Sequence, residues 1–114
     1  MIIVNLDEFL SYPENTVFSK YLPCSFGCLS IKYDNCGSVD FYCNSISDSI
    51  KSDSSEEFID ILLNANKLKS TIELDFDSCG RDGLFDANQL FAVWGDEDVI
   101  KLITELQKCI KGGK

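Results

Sequence analysis

With 114 residues the chain has the length of one domain, and its apolar content of 45% suits a packed core rather than an intrinsically disordered segment. It carries 19 acidic against 10 basic residues, a net charge of −9, and no histidine. That balance argues against direct nucleic-acid binding and against anionic membrane surfaces, and it is compatible with a basic protein partner, a cation or plain solubility.

In chain order, Met1-Ile2-Ile3-Val4 is a short apolar run with no basic start and no small-residue cleavage site, so it does not read as a signal peptide. No apolar run approaches the roughly 20 residues of a membrane-spanning helix, and a cytoplasmic protein is expected. A short helix is predicted over 6–11, with Asn5 as its cap, Glu8 completing a capping box and Pro13 ending it. Residues 16–26 stay unassigned, because Pro23 and Gly27 interrupt them. Leu29–Tyr33 and Val39–Cys43 alternate as strands, and Asp34-Asn35-Cys36-Gly37 between them has hairpin-turn chemistry. Val39, Phe41 and Cys43 are expected on the core side, with Lys32, Asp40 and Tyr42 on the other.

The serine-rich stretch 44–55 reads as a surface loop running into a helix over 55–68, capped by Ser54 or Ser55 and carrying Glu56 and Glu57 in its first turn. Phe58, Ile59, Leu62, Leu63 and Ala65 form its apolar face. The run Thr71 to Asp77 alternates most cleanly of all, predicting a strand with Ile72, Leu74 and Phe76 inward and Glu73, Asp75 and Asp77 outward. A loop over 78–86 follows. The continuous apolar run Leu90 to Trp94 predicts a buried central strand, with Trp94 in the core. The final helix starts at a capping Asp96 and ends at Gly112. Its stripe of Val99, Leu102, Ile103, Leu106 and Ile110 predicts a main anchor of the core, each buried aliphatic contributing roughly 1.5–3 kcal/mol. The expected architecture is an α+β fold, a mainly antiparallel sheet of about four to five strands with helices packed on one face. Tyr33-Asp34-Asn35-Cys36-Gly37 and Phe76-Asp77-Ser78-Cys79-Gly80 share one pattern, expected to be two hairpins with the same turn chemistry reached independently, the alternative being an internal strand–strand–helix repeat.

Chemistry is sparse. The six cysteines, Cys24, Cys28, Cys36, Cys43, Cys79 and Cys109, lack a tight zinc knuckle and are expected to be reduced thiols, with Cys43 and Cys109 serving as small apolar side chains. Asp75, Asp77, Cys79, Gly80 and Asp86 imitate a calcium loop poorly, because a thiol stands where an oxygen ligand belongs and a strand is expected before the loop. Glu73, Asp75 and Asp77 would be spaced by about 6.6 Å on a strand, yet an open row of acids lacks the pKa asymmetry of a glycosidase pair. No nucleophile-activating dyad, phosphate loop or dinucleotide fingerprint is present. The sequence implies no enzyme activity, cofactor or metal, and sets no oligomeric state.

The charge distribution is more informative. Between Glu73 and Asp98 lie eight carboxylates and one cation, Arg81, a net charge of −7. A sheet face holding Asp40, Tyr42, Glu73, Asp75 and Asp77, extended by Asp82, Asp86, Asp96, Glu97 and Asp98, is the expected partner-binding patch. Acids of this kind speed encounter with a basic partner, and an aromatic among them supplies an anchor.

The last third, an alternating strand, a loop, a second strand ending Val93-Trp94-Gly95-Asp96 and the helix Val99 to Leu106, resembles the ending of several immunity-protein families of bacterial polymorphic toxin systems, including contact-dependent growth inhibition. The resemblance implies a protein that binds a cognate toxin domain, such as a basic nuclease, and occludes its active site. The alternatives are a cysteine-based metal-binding or redox protein and an acidic adaptor subunit.

Overall fold

The computed structural model describes residues 1–84 and 86–112. Seven strands and three helices follow the chain in the order β1 (Ile2–Val4), α1 (Leu6–Leu10), β2 (Thr16–Leu22), β3 (Ser25–Phe26), β4 (Ser30–Cys36), β5 (Asp40–Ser45), α2 (Ser55–Leu68), β6 (Gly80–Arg81), β7 (Leu90–Val93) and α3 (Asp96–Gln107). The strands form one antiparallel sheet in the order β1-β7-β2-β4-β5-β6, with β3 folded back on β2. The fold is α+β, with more strands than the sequence predicts. Three of the additional strands come from 2–4 and from the unassigned 16–26.

Local chemistry explains the first elements. Asn5 caps α1, its side chain accepting from the Glu8 N–H at 2.9 Å while the Glu8 carboxylate accepts from the Asn5 N–H at 3.3 Å. This single turn places Phe9 on the sheet. Its ring stacks on Phe91 of β7 at 4.0 Å between centroids and lies 4.7 Å from Phe18 of β2 and 5.0 Å from Phe41 of β5. Val4, Leu6 and Val93 complete the buried cluster.

β7 takes the central position that its apolar run predicts. Phe91, Ala92 and Val93 are buried, and β1 and β2 pair with its two sides. The β4–β5 hairpin also forms, but its turn is Gly37-Ser38-Val39, later than expected. A register shift between Lys32 and Asn35 accommodates the delay, and Gly37 at φ 75° supplies the left-handed residue. Lys32, expected on the outer side, instead lies buried, paired across the strands with Cys43. Its ammonium donates to the carbonyls of Tyr12 at 3.0 Å and Tyr33 at 3.1 Å, and burial lowers its pKa against the pull of Asp34 and Glu14.

Three expectations fail together. Residues 71–77 form no strand; Leu74 makes a lone bridge to Ile50, and Leu74 and Phe76 are exposed rather than inward. α2 forms over its predicted span with Ser54 as cap, and α3 forms as well, but neither helix has a buried residue. The Leu102 side of α3 is half-buried, while Ile103, Leu106 and Ile110 stay in solvent, so α3 is not a core anchor. Its N-cap is Gly95, whose N–H donates to Asp98 at 2.9 Å; Asp96 is the first helical residue. Of the three helices, only α1 inserts side chains into the core.

Stability therefore concentrates on the sheet and α1. Phe9→Ala is expected to cost about 3–5 kcal/mol. Leu63→Ala on α2, where the side chain is exposed, is expected to change stability by less than about 0.5 kcal/mol. Urea titration of the isolated protein measures both.

Candidate partner-binding surface

Asp40 does not sit on an open face. It is 1% exposed, and its carboxylate accepts from the Gly83 N–H at 2.9 Å, the Phe41 N–H at 2.9 Å and the Arg81 guanidinium at 3.0 Å. Gly83 adopts φ 69°, a left-handed conformation that suits glycine, where its N–H meets Asp40. The Gly83 N–H is the largest influence holding the carboxyl below its ordinary pKa; the Phe41 N–H and Arg81 add to it, and burial opposes them. Asp40 thus pins the 81–83 segment to the sheet.

Tyr42 is half-buried on β5 opposite Arg81, and the adjacent Cys36 thiol raises its pKa. Asp82 forms an ion pair with Lys20 of β2 and is largely covered. Asp96 and Glu97 are exposed at the start of α3, while Asp98 binds the Met1 ammonium at 2.7 Å, which lowers its pKa. These three acids follow β7, which lies three strands from β5 in the sheet, about 14 Å at ordinary strand spacing. They lie at the opposite end of α3 from its exposed Leu106 and Ile110, and Asp98 is taken up by the chain's amino group. Asp86 is exposed in the 78–86 loop and accepts from the Asn88 N–H at 2.9 Å; Phe85 in that loop lies outside the described residues.

Glu73, Asp75 and Asp77 do gather, by a route other than a strand. The Lys51 N–H donates to the Glu73 carbonyl at 3.0 Å and the Asp75 N–H to the Ser49 carbonyl at 2.7 Å, which tethers an extended segment to the serine-rich loop. Asp75 accepts from the Asp77 N–H at 2.9 Å and the Ser78 hydroxyl at 2.8 Å, and these bonds lower its pKa as they turn the chain. Glu73 lies 3.3 Å from the Lys51 ammonium, both well solvated. The segment lines an open hollow of about 560 Å³ with Lys51, Leu74 and Phe76. A second hollow, about 730 Å³, lies between the start of α2 and Cys79-Gly80, just beyond Asp77 in the chain, and Phe58 and Ile59 contribute to it.

The apolar members were missed because alternation assigned Leu74 and Phe76 to a core. Ile59, Leu62 and Leu63, at i, i+3 and i+4, form one side of α2, and that side stays exposed; its spacing in the sequence reads equally as a buried face. All six cysteines are free thiols. Cys109 is exposed, contrary to its expected apolar role, whereas Cys43 packs against the core and burial pushes its thiol up to about 11. Among the described residues, no group of three His, Cys, Asp or Glu side chains is placed to hold a metal ion, and no helix is long and apolar enough to cross a membrane.

Comparison with protein-family models, curated proteins and solved structures yields no match to this chain.

The bonds to Asp40 set a pH dependence. A carboxyl with a depressed folded-state pKa contributes stability above its unfolded pKa of about 3.9, and that contribution is lost as pH falls through the folded value. The stability difference between the native protein and Asp40→Asn is expected to be greatest above about pH 4 and to shrink in more acidic solution. Urea titrations across that range check the sign.

Proposed function

We propose that the chain is a cytoplasmic immunity protein, a binding protein without catalytic activity that neutralises a basic toxin domain by forming a stoichiometric complex over its active site. One observation carries the reading: the 73–77 segment exposes Leu74 (55%) and Phe76 (49%) between the solvated acids Glu73 and Asp77. Apolar and aromatic anchors inside a charged rim are the arrangement that supplies affinity at the centre of an interface and steering at its edge. Two features support it. The segment has few backbone tethers, so it can adapt to a partner without disturbing the phenylalanine core. The adjoining hollow beside α2 extends the apolar contact area.

A groove shaped for phosphates presents Lys and Arg, and an acidic segment with apolar anchors is complementary to it. The missing histidine and the covered positions of Asp40 and Asp82 favour binding over acid–base chemistry.

The test is co-expression with a basic toxin domain encoded beside this chain, followed by titration of the purified pair. Native protein is expected to restore growth and to bind one to one. Glu73→Lys with Asp77→Lys is expected to weaken binding at least tenfold, and Phe76→Ala to do so independently, with unchanged circular dichroism. Undiminished affinity in both variants would remove this surface from the interface.

A further inference from the structure

α3 is turned with its apolar stripe to solvent. The side facing Met1 and Trp94 carries Asp98, Lys101, Leu102 and Glu105, which line a cleft of about 250 Å³. The outward side carries Ile100 at 60% exposure, Ile103 at 49% and Leu106 at 56%, continued beyond the helix end by Ile110 at 62%. Their spacing of three, three and four residues makes one continuous stripe.

The molecule has surface to spare. Its accessible area is 8123 Å². A folded monomer of 12.8 kDa exposes about 6,300 Å². The surplus, about 1,800 Å², is more than the roughly 800 Å² that each partner contributes to an ordinary interface. It leaves room for the 73–77 and α2 surface and for a separate interface on α3.

Charge selects the occupant. Residues 96–111 hold four acids and three lysines, a net charge of −1 in a chain of −9. The acids Asp96, Glu97 and Asp98 stand at the start, and Lys108 and Lys111 stand at the end. Two copies of this helix laid antiparallel oppose their dipoles and set each acidic start against the lysines of the other. The arrangement is isologous, with its two-fold axis near Ile103 and Leu106. We propose that the outward stripe of α3 is a homodimer interface, in which α3 pairs antiparallel with α3 of a second copy. The acidic 73–77 surface lies outside this contact.

Sedimentation velocity over a micromolar concentration series, with reductant present because Cys109 is exposed, provides the test. Native protein is expected to pass from monomer to dimer. Ile103→Lys is expected to weaken association by more than about tenfold with unchanged circular dichroism, because the side chain is not part of the monomer's core. Asp96→Lys and Lys111→Glu are each expected to weaken self-association, by about two- to fivefold per ion pair, and an equimolar mixture of the two is expected to recover it. Recovery distinguishes the antiparallel pair from non-specific apolar contact. A native protein that stays monomeric, an Ile103→Lys variant that dimerises as before, or a mixture no tighter than its components would each overturn the proposal. So would a monomer in which Ile103→Lys abolishes toxin binding, which would assign the stripe to the toxin. None of the self-association measurements needs a toxin, so the dimer and the immunity reading fail separately.

Discussion

The structure depends on one residue of a five-residue helix reaching three strands at once. Phe9 touches phenylalanines from β2, β5 and β7, strands drawn from the beginning, middle and end of the chain. Aromatic pairs at such separations add to the area they bury. The cluster is small for a chain of this length, and neither α2 nor α3 contributes a buried side chain to it. A compact sheet with α1 carries stability, and two amphipathic helices keep much of their apolar surface in solvent. This division explains why the surface exceeds that of an ordinary monomer.

Charge is divided in the same way. Lys32, Asp40, Lys20 and Asp82 are committed inside the fold, where each meets carbonyls, backbone N–H groups or an opposite charge. No buried side-chain nitrogen or oxygen among the described residues lacks a hydrogen-bond partner. Burying Lys32 above Phe9 is costly, and its two carbonyl partners offset part of that cost. Other acids remain in solvent along the whole chain, among them Asp7, Glu14, Asp34, Asp53, Glu56, Glu57, Asp60 and Asp86, as well as Glu73, Asp77, Asp96 and Glu97. An acid-rich composition thus divides into charges held inside the fold and a larger set left in solvent, of which Glu73 and Asp77 flank the exposed Leu74 and Phe76.

What could be read in advance was whatever local chemistry decides. The Asn5 capping box, the Ser54 cap, the alternation of β4 and β5 and the apolar run of β7 each contain their own cause, and each formed. What could not be read depends on partners distant in sequence. Alternation at 71–77 specifies a strand only if a neighbour accepts its hydrogen bonds, and the backbone bonds formed there run to Ser49 and Lys51 of the serine-rich loop rather than to a strand. Asp40 looked like a surface acid because Arg81 and Gly83, the groups that bury it, lie about forty residues later. The α3 stripe was read as a core anchor, and the fold leaves Ile103, Leu106 and Ile110 exposed, because periodicity shows an apolar face but not what packs against it. The candidate surface followed suit: its acids were visible in the sequence, whereas Leu74 and Phe76 as its anchors emerged only from the fold.

β7 has a further consequence, and it concerns time. β7 lies between β1 and β2 in the sheet but is made long after both, so neither early strand can pair with it until most of this domain has been synthesised. Until residue 93 emerges, both early strands lack their central neighbour and Phe9 lacks the ring it stacks on. A chain stopped before β7 would leave β1 unpaired and one side of β2 open, sticky β-edges rather than a weakened native state.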